Sequence, residues 1–161
     1  MRKQYHLDGV ISRSEALVHP YAYVPFEVPP RCTRIEVAYH YAPVSPTDEP
    51  ATLDIGLFDI RGTEPHTGGF RGWSGSDRRQ FFIERDAATP GYVAGPLPAG
   101  TWSVILGGYE IPEDGLRWWL TVSLEVAASG RLNVSRVPNS AGPANAPRNP
   151  STGWYRGDLH S

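Results

Sequence analysis

The chain has 161 residues, a length that suits one ordinary domain able to bury its own apolar core. Its 15 basic and 17 acidic residues give a net charge of -2 without a basic run, so neither nucleic acid nor an anionic membrane is an expected partner. The N-terminal segment lacks the apolar stretch of a secretory signal, and no apolar run reaches membrane length, so we expect a soluble, cytoplasmic protein.

The composition favours strands joined by tight turns. Glycine (17 residues) and proline (16 residues) are frequent, and segments suited to helix are scarce. The single cysteine, Cys32, has no partner for an internal disulfide, and a lone thiol of this kind is usually a small buried apolar group.

Alternation of apolar and polar residues predicts about eight short strands. In chain order they are Gln4–Ile11, Ala22–Val28, Thr33–Tyr41, Thr52–Ile60, Gln80–Glu84, Tyr92–Ala94, Thr101–Ile111 and Leu116–Val126. The last is the longest, with five apolar residues in phase from Trp118 to Val126, which is typical of a central antiparallel strand. The sequence therefore predicts an all-β domain over residues 1–135, an antiparallel two-sheet β-sandwich or jelly roll.

One short segment competes with the strands. Ser12 and Glu15 have the spacing of a helix capping box, ahead of Ala16, Leu17 and Val18. Pro20 ends any helix there within about two turns, so we expect a single helical turn or an irregular loop.

Exposed aromatic residues mark two candidate ligand or domain-docking positions. The Gly-rich loop Gly62–Arg79 contains Phe70, Arg71 and Trp73, which could form a ligand platform or could close one end of the core as part of a long connection between the sheets. Alternation also sends one of the adjacent Trp118 and Trp119 outward. Trp119 could then pack on a second domain or bind a planar ligand.

After the predicted sandwich the alternation stops. Residues 136–153 (RVPNSAGPANAPRNPSTG) contain four prolines and no aromatic residue, which predicts a semi-extended Pro-rich linker. The C-terminal tail, residues 154–161 (WYRGDLHS), begins abruptly with two aromatic residues and is predicted to start a further structured element.

Catalytic signatures are lacking in the sandwich region. His6, His19, His40 and His66 have no metal-ligand spacing to another His, Cys or carboxylate. No nucleophile elbow, phosphate-binding loop or CxxC pair occurs either, so the sandwich itself is not expected to be an enzyme.

The tail WYRGDLHS resembles the opening of the PHP (polymerase and histidinol phosphatase) metallohydrolase domain, whose first strand reads GDLHxH. The stretches FDIRG, GFRGWSG and ATPGYVAGPLPAGTWSVILGGYEI resemble the N-terminal domain that precedes PHP domains in the carbaryl-hydrolase-like branch. The resemblance thus covers nearly the whole chain, and it identifies residues 154–161 as the truncated start of a PHP domain.

This resemblance implies a distorted β/α barrel after residue 161 that binds two or three divalent metals and hydrolyses a phosphoester, carbamate or related bond. His160 matches the first metal ligand, and Asp158 matches the acidic position, for which we expect a role in positioning the strand. The second histidine of the motif would be residue 162. A single imidazole does not hold a catalytic metal, so the 161-residue chain is expected to be inactive, with no cofactor of its own.

Three functions remain open from the sequence. The first is an accessory domain of a PHP-type hydrolase, with the missing barrel as its partner and a role in docking, substrate access or stabilisation. The second is a free-standing jelly-roll module that binds a carbohydrate or small molecule, and the third is a purely structural β-domain.

Overall fold

The computed structural model describes residues 1–64 and 67–128. The chain divides into two units, Met1–Ser129 and Gly130–Ser161, and the strands and the helix lie in the first. The predicted linker 136–153 and the tail 154–161, which contains Asp158 and His160, lie outside the described residues.

The described residues form eight strands and one short helix. In chain order these are β1 (Arg2–Ile11), α1 (Arg13–Val18), β2 (Tyr21–Val28), β3 (Cys32–Pro43), β4 (Thr52–Phe58), β5 (Phe70–Gly75), β6 (Gln80–Glu84), β7 (Gly100–Glu110) and β8 (Leu116–Val126). No helix in this part of the chain is long and apolar enough to cross a bilayer.

The strands make two antiparallel sheets of four. The first sheet has the order β1-β8-β3-β6 and the second the order β2-β7-β4-β5. The predicted all-β two-sheet sandwich is therefore confirmed. Most neighbours within a sheet are distant in the chain: β1 pairs with β8 from Arg2 opposite Glu125 to Ile11 opposite Leu116.

Strand alternation builds the core between the sheets. On β8 the side chains from Leu116 to Val126 that share a phase are all buried, and on β7 Trp102, Val104 and Leu106 are fully buried. The indole Nε1 of Trp102 donates a hydrogen bond to the Pro98 carbonyl at 3.0 Å, so this large side chain is buried without an unsatisfied donor. Cys32 is free and buried at the start of β3, as the sequence predicts.

The loop prediction for Gly62–Arg79 is wrong in part, because it contains strand β5. Its pairing with β4 is irregular at two places, and the φ of Gly72 is 137°, so glycines that resemble loop signals in the sequence occur here in a bulged strand. A Cβ on Gly72 would lie 2.4 Å from the Gly91 carbonyl oxygen. The predicted strand Tyr92–Ala94 contributes only an isolated bridge, between Gly72 and Tyr92.

Helix α1 follows the predicted capping box. The backbone N–H of Glu15 donates to Ser12 Oγ at 3.2 Å, and the backbone N–H of Ser12 donates to the Glu15 carboxylate at 3.1 Å. The helix ends after six residues, just before Pro20, and buries none of them, so Leu17 and Val18 are exposed beside the second sheet.

Candidate binding surface

The outer face of the second sheet is aromatic. Leu53, Ile55 and Leu57 of β4 point into the core, so the alternate residues of this strand and its neighbours point to solvent. Five rings lie on that outer side, and we call them the aromatic face: Tyr21, Tyr23, Phe58, Phe70 and Trp73. Three of them are about half exposed, Tyr21 by 54%, Phe70 by 52% and Tyr23 by 46%.

The rings contact one another across the strands. Tyr21 meets Trp73 with ring centroids 6.2 Å apart, Tyr23 meets Phe58 at 6.0 Å, and Phe58 meets Phe70 at 5.4 Å. The interplanar angles of these pairs are 85°, 62° and 61°, an edge-to-face arrangement that aromatic pairs favour. The aromatic face thus consists of two packed groups of rings, Tyr21 with Trp73 and Tyr23 with Phe58 and Phe70.

Two glycines make room for Trp73. A Cβ on Gly56 of β4 would lie 2.6 Å from Cε3 of Trp73, and a Cβ on Gly107 of β7 would lie 2.8 Å from its Cη2. The indole therefore lies directly over the backbone of two neighbouring strands, where any other residue would displace it. Tyr21 contacts this ring from the edge strand β2.

Carboxylates lie at one end of the aromatic face. Asp54 on β4 lines a hollow with Tyr21, Trp73 and the exposed Tyr109. An adjoining hollow is lined by Asp54 together with Asp77, Glu110 and Tyr109. Burial raises the pKa of the Asp54 carboxyl above its ordinary value, and the negative charge of Asp77 raises it further.

The outer face of the first sheet is polar by contrast. Arg34 forms ion pairs with Glu36 and Glu84, and Gln4 Nε2 donates to Ser123 Oγ at 2.9 Å. Trp119 is 40% exposed there and stacks on His40, with ring centroids 5.4 Å apart and planes 20° from parallel. Trp119 faces outward, as alternation predicts, but it lies on the opposite sheet from Trp73 and Phe70.

Arg71 corrects the sequence prediction, which placed it on a possible docking or ligand surface. Its side chain is buried, and its guanidinium donates to the Val93 carbonyl at 3.0 and 3.1 Å and to the Pro96 carbonyl at 3.0 Å. The guanidinium also lies 5.0 Å from the ring centroid of Trp102 and 3.3 Å from the carboxylate of Asp59. Arg71 is therefore a structural residue that ties two loop segments, the residue after β4 and the segment with Val93 and Pro96, to the core.

Asp59 is the ion-pair partner of Arg71, and the sequence analysis did not identify it. Burial opposes its ionisation, but hydrogen bonds and charge from Arg61 and Arg71 outweigh burial and hold the pKa of Asp59 below its ordinary value. Its Oδ2 accepts from Arg61 Nη2 at 2.7 Å as well as from Arg71. The motif FDIRG therefore supplies both a carboxylate and one of its two cations.

The sequence also missed Tyr21, Tyr23 and Phe58, although a signal was present. In YAYVPFEV, the two tyrosines alternate with the buried Phe26 and Val28, so a strand there must expose both phenol rings. Which other rings share their face depends on strand order, and the sequence does not reveal it.

No set of ligands in the described part of the chain suits a metal ion. Residues 1–64 and 67–128 contain no group of three or more His, Cys, Asp or Glu side chains that could hold one. No family model and no curated protein matches this chain.

Proposed function

We propose that the sandwich is the accessory domain of a metal-dependent PHP-type hydrolase and that the aromatic face is its contact surface for the catalytic barrel. The main observation in favour of a docking role is the difference between the outer faces of the two sheets. An antiparallel sheet that faces water normally presents polar side chains. The first sheet carries the ion pairs of Arg34 and exposes one aromatic residue of its outer face, Trp119, by 40%, whereas the aromatic face of the second sheet exposes three by 46% to 54%.

Exposed aromatic clusters of this kind favour a protein partner. Tyr, Phe and Trp are enriched at protein interfaces, where a rigid ring buries a large area at little cost in conformational entropy. The aromatic face also covers Ile105, which points outward on β7 and is still only 6% exposed. A docked barrel would extend this burial to Tyr23 and Phe70.

The hydrolase assignment is supported by the resemblance of WYRGDLHS and of the sandwich segments to PHP proteins. In such an enzyme, His160 would be one metal ligand, and bound metals would activate water for attack on a phosphoester or carbamate bond. The residues of the sandwich would then act by holding the barrel and bordering the path of the substrate.

Ring geometry favours docking over carbohydrate binding. A sugar stacks on the flat face of an aromatic ring, and a flat platform for several sugar units presents several such faces in one plane. The contacting rings of the aromatic face are tilted by 61° to 85° from each other. This arrangement suits a contoured protein surface better than a flat glycan chain.

The test is a binding measurement between the sandwich, residues 1–128, and a barrel encoded with it in the source gene. We expect the double variant Tyr23→Ser/Phe70→Ser to weaken binding at least tenfold, about 1.4 kcal/mol. The matched control Trp119→Ser, an aromatic residue on the other sheet, should leave binding unchanged. The gene product should also hydrolyse a phosphoester or carbamate ester only when loaded with Mn²⁺ or Zn²⁺.

Three results would overturn the proposal. The first is a source gene that encodes no barrel, and the second is equal weakening of binding by the double variant and by Trp119→Ser. The third is a glycan that changes tryptophan fluorescence in the wild type and not in Tyr23→Ser/Phe70→Ser, which would assign the face to carbohydrate binding.

A further inference from the structure

A second feature of the same sheet goes beyond docking. At the corner where β4, β5 and β7 meet, the carboxylate of Asp54 lines a hollow with the rings of Tyr21, Trp73 and Tyr109. Trp73 is fixed in place by the two glycines beneath it and by its edge contact with Tyr21. The hollow therefore has a rigid aromatic wall beside a carboxylate.

The carboxylates around this hollow form no ion pair among the described residues, although that of Glu110 accepts a hydrogen bond from Thr52 Oγ1 at 2.6 Å. Neither the hollow nor the adjoining one, which adds Asp77 and Glu110, is lined by Lys or Arg. The ion pairs among the described residues use Glu36, Glu49, Asp59 and Glu84, and none uses Asp54, Asp77 or Glu110. The raised pKa of Asp54 has the same origin, since a partly buried carboxylate lies near a second negative charge.

The combination of rings and carboxylate selects an organic cation. A guanidinium or alkylammonium group gains attraction from the negative face of an aromatic ring and from a carboxylate at the same time. A divalent metal would need several ligand atoms converging on one point, and within residues 1–64 and 67–128 no such group is found.

We propose that the hollow formed by Asp54, Tyr21, Trp73 and Tyr109 binds a guanidinium or alkylammonium group. The carboxylate pairs with the charge, the indole and phenol rings contact the cation and its methylene groups, and Asp77 and Glu110 raise its local concentration. This cation site does not depend on a hydrolase partner, so its test is independent of the test of the proposed function.

The experiment is an NMR titration of the 161-residue chain that follows the indole N–H signals. N-acetyl-arginine amide is the cationic probe, and N-acetyl-citrulline amide is its neutral analogue of nearly equal shape. We expect the arginine probe to shift the Trp73 signal at millimolar concentration and to leave the Trp119 signal in place. The citrulline probe should shift neither, and added salt should weaken the arginine effect.

Two substitutions of aspartate by asparagine give the matched comparison. Asp54→Asn should weaken binding of the arginine probe about five- to tenfold, because it removes the charge at constant size. Asp8→Asn changes the carboxylate that lies opposite Trp119 on the first sheet and should have no effect. If Asp54→Asn lowers stability, Glu110→Gln provides a second variant, for which we expect a smaller weakening of about twofold.

A second titration, with a peptide, distinguishes the side chain of a polypeptide from a free small cation. A decapeptide with one central arginine that binds at least tenfold tighter than the amide indicates the side chain of a polypeptide, whereas equal affinity indicates a free small cation. Either result supports the site. The proposal is overturned if citrulline binds as well as arginine, if Asp54→Asn binds as the wild type does, or if the Trp73 signal does not move.

Discussion

The guanidinium of Arg71 and the carboxylate of Asp59 form an ion pair inside the sandwich, with Nη1 and Oδ2 3.3 Å apart and side chains only 4% and 2% exposed. Arg71 comes from β5 and Asp59 from the residue just after β4, so the pair links the two ends of the connection between these strands. The carbonyls of Val93 and Pro96 accept three further hydrogen bonds from the guanidinium.

Removing the buried cation should be costly. Arg71→Met keeps most of the apolar side chain but leaves the carbonyls of Val93 and Pro96 without their donor, so we expect a loss of about 3–5 kcal/mol in the free energy of unfolding. Urea denaturation measures it. The matched control is Arg61→Met, which removes the other cation at Asp59 from a side chain that is 56% exposed, and it should cost less than about 1 kcal/mol. Equal losses in the free energy of unfolding for Arg71→Met and Arg61→Met would contradict this prediction.

Asp59 should contribute to stability on the acid side. Its pKa is lower in the folded protein than in the unfolded chain, so its contribution is present above the unfolded value of about 3.9 and is lost as pH falls through the folded value. Asp59→Asn should therefore flatten the fall in stability below about pH 4.

The pKa of Asp54 is raised, so its effect on stability has the opposite dependence on pH: its contribution to stability is lost as pH rises. Asp54→Asn should gain stability relative to the wild type as pH rises from about 4. Urea midpoints measured across this range test both signs.

The space above Gly107 should tolerate no side chain. In Gly107→Ala the new methyl group meets the Trp73 ring at 2.8 Å, and we expect a loss of about 1–3 kcal/mol and a shifted Trp73 indole signal. The adjacent Gly108→Ala meets only side-chain atoms of Ile111 and Ala16 at 3.2–3.3 Å and should cost less. Thermal unfolding and NMR compare the two. A Trp73 signal unmoved by Gly107→Ala would contradict the described position of the ring.

Tyr39 should destabilise the protein at alkaline pH. Its hydroxyl is buried and donates to the Leu53 carbonyl at 2.7 Å, and burial raises the pKa of Tyr39 to about 12. Because the folded value exceeds the unfolded value of about 10, its stabilising contribution is complete below pH 10 and is lost as pH rises through 12.

The variant Tyr39→Phe isolates this contribution. It should be about 1 kcal/mol less stable than the wild type at neutral pH, because the Leu53 carbonyl loses its donor. Its stability should fall less steeply than that of the wild type above about pH 10, as measured by urea midpoints. Tyr109→Phe, at a side chain 78% exposed, is the control and should follow the wild type. Parallel slopes for Tyr39→Phe and the wild type would contradict this account.

Local patterns predicted the elements that depend on local chemistry. The phase of β8, the capping box of Ser12 and Glu15, and the outward direction of Trp119 all follow from alternation or spacing within a few residues. Strand β5 could not be predicted in this way. Its glycines allow a bulged pairing with β4 and the close approach of Gly91, and these partners are not visible in the segment itself.

The inward orientation of the Arg71 side chain is a second feature that local sequence patterns could not predict. An arginine in a Gly-rich segment beside two aromatic residues has the composition of a ligand-binding loop, and nothing nearby in the chain shows that Asp59, Val93 and Pro96 surround it. Burial of a guanidinium is possible only where several acceptors converge. Convergence from separate segments is a property of the folded chain.

The sequence by itself determined that this protein is a β-sandwich, because a period of two over successive segments leaves each strand with one apolar side to bury. Only the tertiary structure decided that Tyr21, Tyr23, Phe58, Phe70 and Trp73 share one outer face, while Trp119 lies on the other sheet. The physical reason is strand order. Pairing brings together strands that are more than a hundred residues apart, and alternation within a strand does not specify its neighbours.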